Sequence, residues 1–337
     1  MTDSAQGDGG NVATVRIVGT GSYLPERVLT NHDLEKMVDT TDEWIRTRTG
    51  IRERHIAADD EATSDMAAVA AKRALEDAGV SVKDIDTLIT ATITPDMVFP
   101  STACLVQERI GATNAFCFDV GAACSGFLYG LEMAKGMILN GTSKNVLLIG
   151  AEKLSAFTDW EDRSTCVLFG DGAGAAVIQA SSNGRGIRHT VMGSDGGLGD
   201  LLKIPAGGSK TPASARTVDD RLHYMKMTGN EVFKHAVRCM SDAGQKVLVE
   251  CGLTVDDVRW IIPHQANMRI IRAIGSRLGD VQEKLYVNLD RVGNMSAASV
   301  PVALDEAVVA GKVKPGDTLL FVVFGAGFTW GAMVVEW

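Results

Sequence analysis

The chain has 337 residues, 45% of them hydrophobic, and a formal net charge of −9. That length allows two domains or one large duplicated unit with a sizeable core. The acidic balance argues against nucleic acid as a general partner, and no apolar run approaches the roughly 18 residues of a membrane span. Six cysteines without a C-x-x-C pair point to a reducing compartment, hence the cytoplasm, rather than a disulfide framework. Six histidines show no ligand spacing, so no metal is expected.

In chain order, residues 1–10 read as a polar tail without a signal pattern. "TTDEWIRTRTGIRERHIA" (40–57) reads as a charged helix and turn. "ALEDAGVSVKDIDTLITA" (74–91) reads as a helix end, a glycine stop, a turn and an apolar strand. "ERIG" (108–111) closes another helix, and "FCFDV" (116–120) is a strand. Next come a small-residue turn with Cys124, an apolar helix over 125–140, and the strand "NVLLIGA" (145–151). "GDGAGA" (170–175) imitates a nucleotide loop, but it lacks the G-x-G-x-x-G spacing and leads into a strand, so it reads as a strand turn. "AGGSKTPASART" (206–217) reads as a polar surface loop.

The order then repeats. "VLVECGLTVDDVRWIIPH" (247–264) matches 74–91 at its Gly, Val, Asp and apolar offsets, and "SRLG" (276–279) matches "ERIG". A second apolar helix (297–310) and a strand (318–327) follow, which implies duplication. The halves are placed at 11–184 and 185–337. Helices apolar nearly all round must lie between layers. The predicted fold is therefore α/β, with two sheets enclosing central helices and further helices outside.

Cys124 begins a helix, where free N–H groups and the helix dipole favour an anion, so the spacing predicts a thiol of lowered pKa. Cys104, Cys117, Cys166, Cys239 and Cys251 read as packing residues. His264 falls at the C-terminal end of a strand, where α/β sites gather, although such a histidine more often only caps a turn. Asn294 lies just before the second central helix, where an N-cap is the ordinary role. The repeat aligns the turns of Cys124 and Asn294 across a pseudo-twofold axis, with His264 on a neighbouring strand end.

"DVGAACSGF", "PHQAN", "VGNMSAASVP" and "FGAGFTWGA", in this order, resemble the thiolase-like condensing enzymes, specifically the β-ketoacyl-acyl carrier protein synthase III family. "DRSTCVLFGDGAGA" (162–175) adds to the likeness, which covers nearly the whole chain after the tail. The resemblance implies a five-layer αβαβα fold and a Cys124–His264–Asn294 site without a cofactor. Cys124 would take an acyl group, taken as acetyl, from coenzyme A. Malonyl-acyl carrier protein would then lose carbon dioxide, and its carbanion would attack the acyl-Cys124 carbonyl. His264 and Asn294 would donate to the enolate oxygen, and the N–H groups of Cys124 and Ala326 would hold the second oxyanion. Ala326 stands where many relatives have glycine, and Met295 where threonine is common.

The family pattern also implies that Trp44, Arg48 and Arg163 bind the coenzyme A adenine and that Asn267 bonds its pantetheine arm. Phe99 would close the acyl pocket of the other subunit in a homodimer. An acidic carrier protein needs local positive charge here, which Arg269, Arg272 and Arg277 offer, with Lys234 beside them. A same-fold enzyme of specialised metabolism with another acceptor, and a silent acyl- or carrier-binding paralogue, remain alternatives.

Overall fold

The structure is a computed structural model describing residues 14–337, so the expected 1–10 tail lies outside the described residues. The first part of the chain contributes β1 (Val15–Tyr23), α1 (Asp42–Thr49), α2 (Thr63–Ala78), β2 (Thr87–Ala91), α3 (Thr102–Ile110), β3 (Phe116–Val120), α4 (Gly126–Leu139), β4 (Asn145–Glu152) and β5 (Gly172–Ala180). The rest contributes β6 (Ile187–Ser194), α5 (Gly229–Glu250), β7 (Trp260–Pro263), α6 (Met268–Arg277), α7 (Ser299–Val309), β8 (Thr318–Gly325) and β9 (Thr329–Glu336).

One sheet runs β1-β5-β4-β2-β3 and the other β6-β9-β8-β7. In each, the first two pairings are antiparallel and the next is parallel. The first sheet ends on the parallel β2–β3 pair. In the second, an isolated parallel bridge from Ile261 to Leu285 occupies the corresponding place. The parallel strands β2, β4, β7 and β8 are almost wholly buried, as strands covered on both faces must be, whereas β3 at the edge of its sheet is only part-buried.

The core explains the layers. Phe127, Leu128 and Leu131 of α4 and Val300 and Leu304 of α7 pack between Ile89 and Leu148 of one sheet and Phe321 and Met333 of the other. Outside the first sheet lie Met66, Ala70 and Ala74 of α2; outside the second lie Val237, Met240 and Val247 of α5 and Ile270 and Ile274 of α6. This is the five-layer thiolase-like architecture. Local chemistry sets the element ends: Gly79 stops α2 at φ +63°, and Ser101 caps α3 through the Cys104 N–H.

Two glycines bring α7 and the turn before it onto the first sheet. A Cβ at Gly150 would overlap the Ala297 carbonyl, and one at Gly174 would stand 2.7 Å from Val302 N. Gly172 and Gly174 lie inside β5, so "GDGAGA" is not a turn before the strand: its glycines admit the neighbouring helix and loop. Of the five packing cysteines only Cys166 is fully buried; the other four are half-buried. No helix among the described residues is long and apolar enough to cross a membrane.

Candidate active site

β3 delivers Cys124. The chain leaves it at Val120 and enters a short turn, Ala123–Ser125, that runs straight into α4. Ala123 has φ +47°, a left-handed value uncommon outside glycine. The turn Ser296–Ala298 before α7 repeats the geometry, with Ser296 at φ +46°. Gly325 at the end of β8 seats the first turn: a Cβ there would lie 2.8 Å from Cys124 N and 3.0 Å from Ser125 N.

His264 follows β7 directly, and its N–H donates to the Val322 carbonyl of β8 at 2.8 Å. The next residue, Gln265, is buried and holds this turn. Its Nε2 donates to Pro263 and Tyr286 carbonyls, and its Oε1 accepts from the N–H groups of Asn288 and Leu289. His264 Nδ1 is buried without a partner, and the residue lines the cavity described below. Asn294 is fixed by its own backbone, donating to the Leu168 carbonyl at 2.9 Å and accepting from Gly170 N–H at 3.0 Å. Its Oδ1 accepts from Ser296 N–H at 2.9 Å, so the amide turns its Nδ2 donors outward. Met295 does not disturb this arrangement: its side chain is in the core, against Gly172, with Val292 and Val302.

Cys124, His264, Asn294 and Ala326 line one cavity of about 580 Å³. Ala326 is outside the left-handed region, as a donor at this position requires. The mouth carries Trp44, Arg48, Asn267 and Arg269. Two guanidinium groups lie near the Trp44 ring, Arg48 at 5.3 Å and Arg163 at 4.8 Å from its centre, while Arg163 itself lies outside the cavity lining. Asn267 caps α6 through Arg269 N–H and gives one Nδ2 proton to the Arg48 carbonyl. Phe99 is absent from the lining and projects outward, 82% exposed beside Val98 at 88%. Arg269, over the Phe233 ring, is at the mouth; Lys234 and Arg277 pair with Glu231 and Asp242, and Arg272 is exposed.

One expectation is reversed. Burial pushes the Cys124 thiol up to about 12 against the smaller opposing effect of Ser296, and burial drives His264 down to about 3. Burial thus favours the uncharged form of each group, although Cys124 as a residue is only half-buried. The helix start is visible in sequence, but the desolvation that outweighs it is not. Two buried polar residues near Cys124 were not read from the sequence: Glu152, the acid closing an apolar strand, and Ser296, whose place opposite Ala123 in the repeat was the available signal.

Facing helix starts that bring a thiol, an imidazole and a carboxamide into one cavity of a two-sheet fold define a condensing acyltransferase of the thiolase-like class. Residues 118–196 match the family described as 3-oxoacyl-[acyl-carrier-protein (ACP)] synthase III, and residues 248–337 match its C-terminal part. The chain is 57% identical to the β-ketoacyl-[acyl-carrier-protein] synthase III of Caldanaerobacter subterraneus subsp. tengcongensis, over 95% of this chain and 97% of that one. The crystal structure of the Aquifex aeolicus 3-oxoacyl-[acyl-carrier-protein] synthase III is similar at a TM-score of 0.90 and 50% identity, covering 96% of this chain and all of that one. The priming β-ketosynthase of the R1128 polyketide pathway is similar at a TM-score of 0.88 and 38% identity, covering 95% of each chain. This chain belongs to the β-ketoacyl-[acyl-carrier-protein] synthase III family.

Proposed function

We infer that this enzyme transfers an acyl group from coenzyme A to Cys124 and condenses it with malonyl-acyl carrier protein, the first carbon–carbon bond of a fatty acid. The observation that carries the reading is the convergence of Cys124, His264, Asn294 and Ala326 on one cavity. Sulfur attacks the acyl carbonyl, and the Cys124 and Ala326 N–H groups receive the oxyanion. Coenzyme A leaves and malonyl-carrier protein enters. His264 Nε2–H and Asn294 Nδ2–H donate to its thioester oxygen as carbon dioxide departs, and the carbanion attacks acyl-Cys124. No step draws on a bound cofactor. A neutral His264 suits this role, since a donor must keep its proton through the step.

Trp44, flanked by Arg48 and Arg163, offers a stacking face for adenine, with Asn267 below it for pantetheine. Arg269 and Arg272 are the freer cations for the carrier protein, with Lys234 and Arg277 partly committed to neighbouring acids. Two features support a homodimer. β3 is an edge strand, and the exposed Met97, Val98, Phe99 and Phe116 would gain cover from a second copy, whose acyl pocket Phe99 would reach. Six free cysteines suit the cytoplasm. We place the junction of the halves near residue 184, between β5 and β6.

Incubation with labelled acetyl-coenzyme A and malonyl-carrier protein tests the reading, which expects acetoacetyl-carrier protein. The polyketide relative keeps a second acceptor in play. A labelled enzyme that refuses malonyl-carrier protein would favour that route, and an enzyme that never labels would favour a silent paralogue.

A further inference from the structure

Arg54 is fully buried, and it has no part in the scheme above. It lies on the short strand Glu53–Ile56, which pairs antiparallel with Arg27–Thr30. Burying a guanidinium is costly unless a carboxylate balances it. Here, among the described residues, its hydrogen bonds go only to uncharged oxygens. Nη1 donates to the Leu29 carbonyl at 3.1 Å and to Asn31 Oδ1 at 2.9 Å, and Nη2 donates to the Val167 carbonyl at 2.8 Å. Nε is buried without a partner. Burial lowers the pKa only to about 10, so the group stays charged at neutral pH.

Both ends of this fork hold something. Asn31 is itself fixed, its Nδ2 donating to Asp42 Oδ1 at 2.9 Å and to the Ile51 carbonyl at 2.8 Å. Val167 opens the stretch 167–170, whose backbone seats Asn294. The Asn294 N–H donates to the Leu168 carbonyl at 2.9 Å, the Gly170 N–H donates to the Asn294 carbonyl at 3.0 Å, and Phe169 and Asn294 form an isolated parallel bridge. The stem of Arg54 meets the same seat. A Cβ at Gly170 or at Gly293 would lie 3.1 Å from Arg54 Cβ, so these two glycines let the stem approach both segments closely. Gly293, at φ +69°, turns the chain into Asn294.

A carboxamide that donates to a developing oxyanion must be held accurately, since a misplacement of about 1 Å can cost about 10²-fold in rate. We propose that Arg54 is a positioning residue for Asn294: its guanidinium ties the 167–170 stretch to Leu29 and Asn31, and so fixes the backbone on which Asn294 is held. No apolar side chain can bond oxygens on two sides at once, which explains a charge kept where burial opposes it. A lysine would not replace it, because a single ammonium lacks the planar fork. Arg54 does not line the cavity, so it touches no substrate and acts through Asn294. The proposal rests on the reading of Asn294 as a donor in the decarboxylation step.

Arg54→Met and Arg54→Lys test it, each alone and combined with Asn294→Ala. Every enzyme is loaded with acetyl-coenzyme A, and the acetyl-enzyme is counted by its burst of released coenzyme A. Carbon dioxide release is then timed after mixing with malonyl-carrier protein. Rates per acetyl-enzyme leave unfolded protein out of the comparison. Acylation by either Arg54 variant should stay close to the parent's. Decarboxylation should fall by about 10²-fold in Arg54→Met, the scale of a misplaced group, and less steeply but clearly in Arg54→Lys. Asn294→Ala should lose about 10²–10³-fold, the worth of one oxyanion donor. Adding either Arg54 change to Asn294→Ala should cost nothing more, since a residue that works through Asn294 then has nothing left to position. Should Arg54→Met fail to fold, Arg54→Lys, which keeps the buried cation and can still reach one side, carries the same comparison. Equal losses of acylation and decarboxylation, parent-like decarboxylation in either Arg54 variant, or losses that multiply in the double variants would overturn the positioning role alone. Parent-like decarboxylation by Asn294→Ala would overturn the reading of Asn294 with it.

Discussion

Gly325→Ala places one methyl group against the turn that presents the nucleophile. The new Cβ would lie 2.8 Å from Cys124 N, 3.0 Å from Ser125 N and 3.1 Å from the Ala122 carbonyl oxygen. All three are backbone atoms, so no side-chain rotation relieves the overlap. Gly325 is not in the left-handed region, so the effect is one of packing alone. The turn must retreat by about half an ångström, comparable to the tolerance of a working site. That movement carries the Cys124 N–H, the proposed oxyanion donor, out of place. Loss of one such donor costs about 10²–10³ in rate, or roughly 3–4 kcal/mol, and overpacking adds about 1–3 kcal/mol of destabilisation. Single-turnover coenzyme A release should fall by that factor. KM for acyl-coenzyme A should hold, because the mouth residues are remote from the turn. Decarboxylation of malonyl-carrier protein, which uses His264 and Asn294, should be much less affected. A variant that acylates like the parent would show that the Cys124 N–H does not hold the oxyanion.

Trp44→Ala removes the ring near Arg48 and Arg163. It should raise KM for acyl-coenzyme A by about tenfold, given roughly 1–3 kcal/mol per stacked base, with kcat unchanged; a fall in kcat alone would contradict the adenine role. His264 makes acid stability measurable. Its pKa is about 3 folded against about 6.5 unfolded, so the unfolded chain binds the proton first. The stabilisation is complete above pH 6.5 and is lost as pH falls toward 3, with an upper bound of roughly 5 kcal/mol. Denaturant titrations of His264→Gln should show a flatter acid limb, and an unchanged limb would mean that the imidazole is not buried neutral.

The layers and the trio were legible because their signals are local. Apolar helices at 125–140 and 297–310 can only be central, and the matched offsets of 74–91 and 247–264 announce two like sheets. Cys124 was legible from its helix start. Its protonation was not, since burial depends on the opposite half of the fold closing over it. Glu152 and Ser296 stand 144 residues apart in sequence, and the approach of the Ser296–Ala298 turn to Gly150 brings them together. The glycines of "GDGAGA" showed the same limit: their purpose is the neighbour they admit, which no local pattern records.

The most direct measurement is mass spectrometry of the enzyme after acetyl-coenzyme A, and again after malonyl-carrier protein. One acetyl group on Cys124, discharged in the second step as acetoacetyl-carrier protein, is the expected result. Acetoacetyl-carrier protein formed at the parent rate by Cys124→Ala, with no acyl-enzyme on the way, would contradict it.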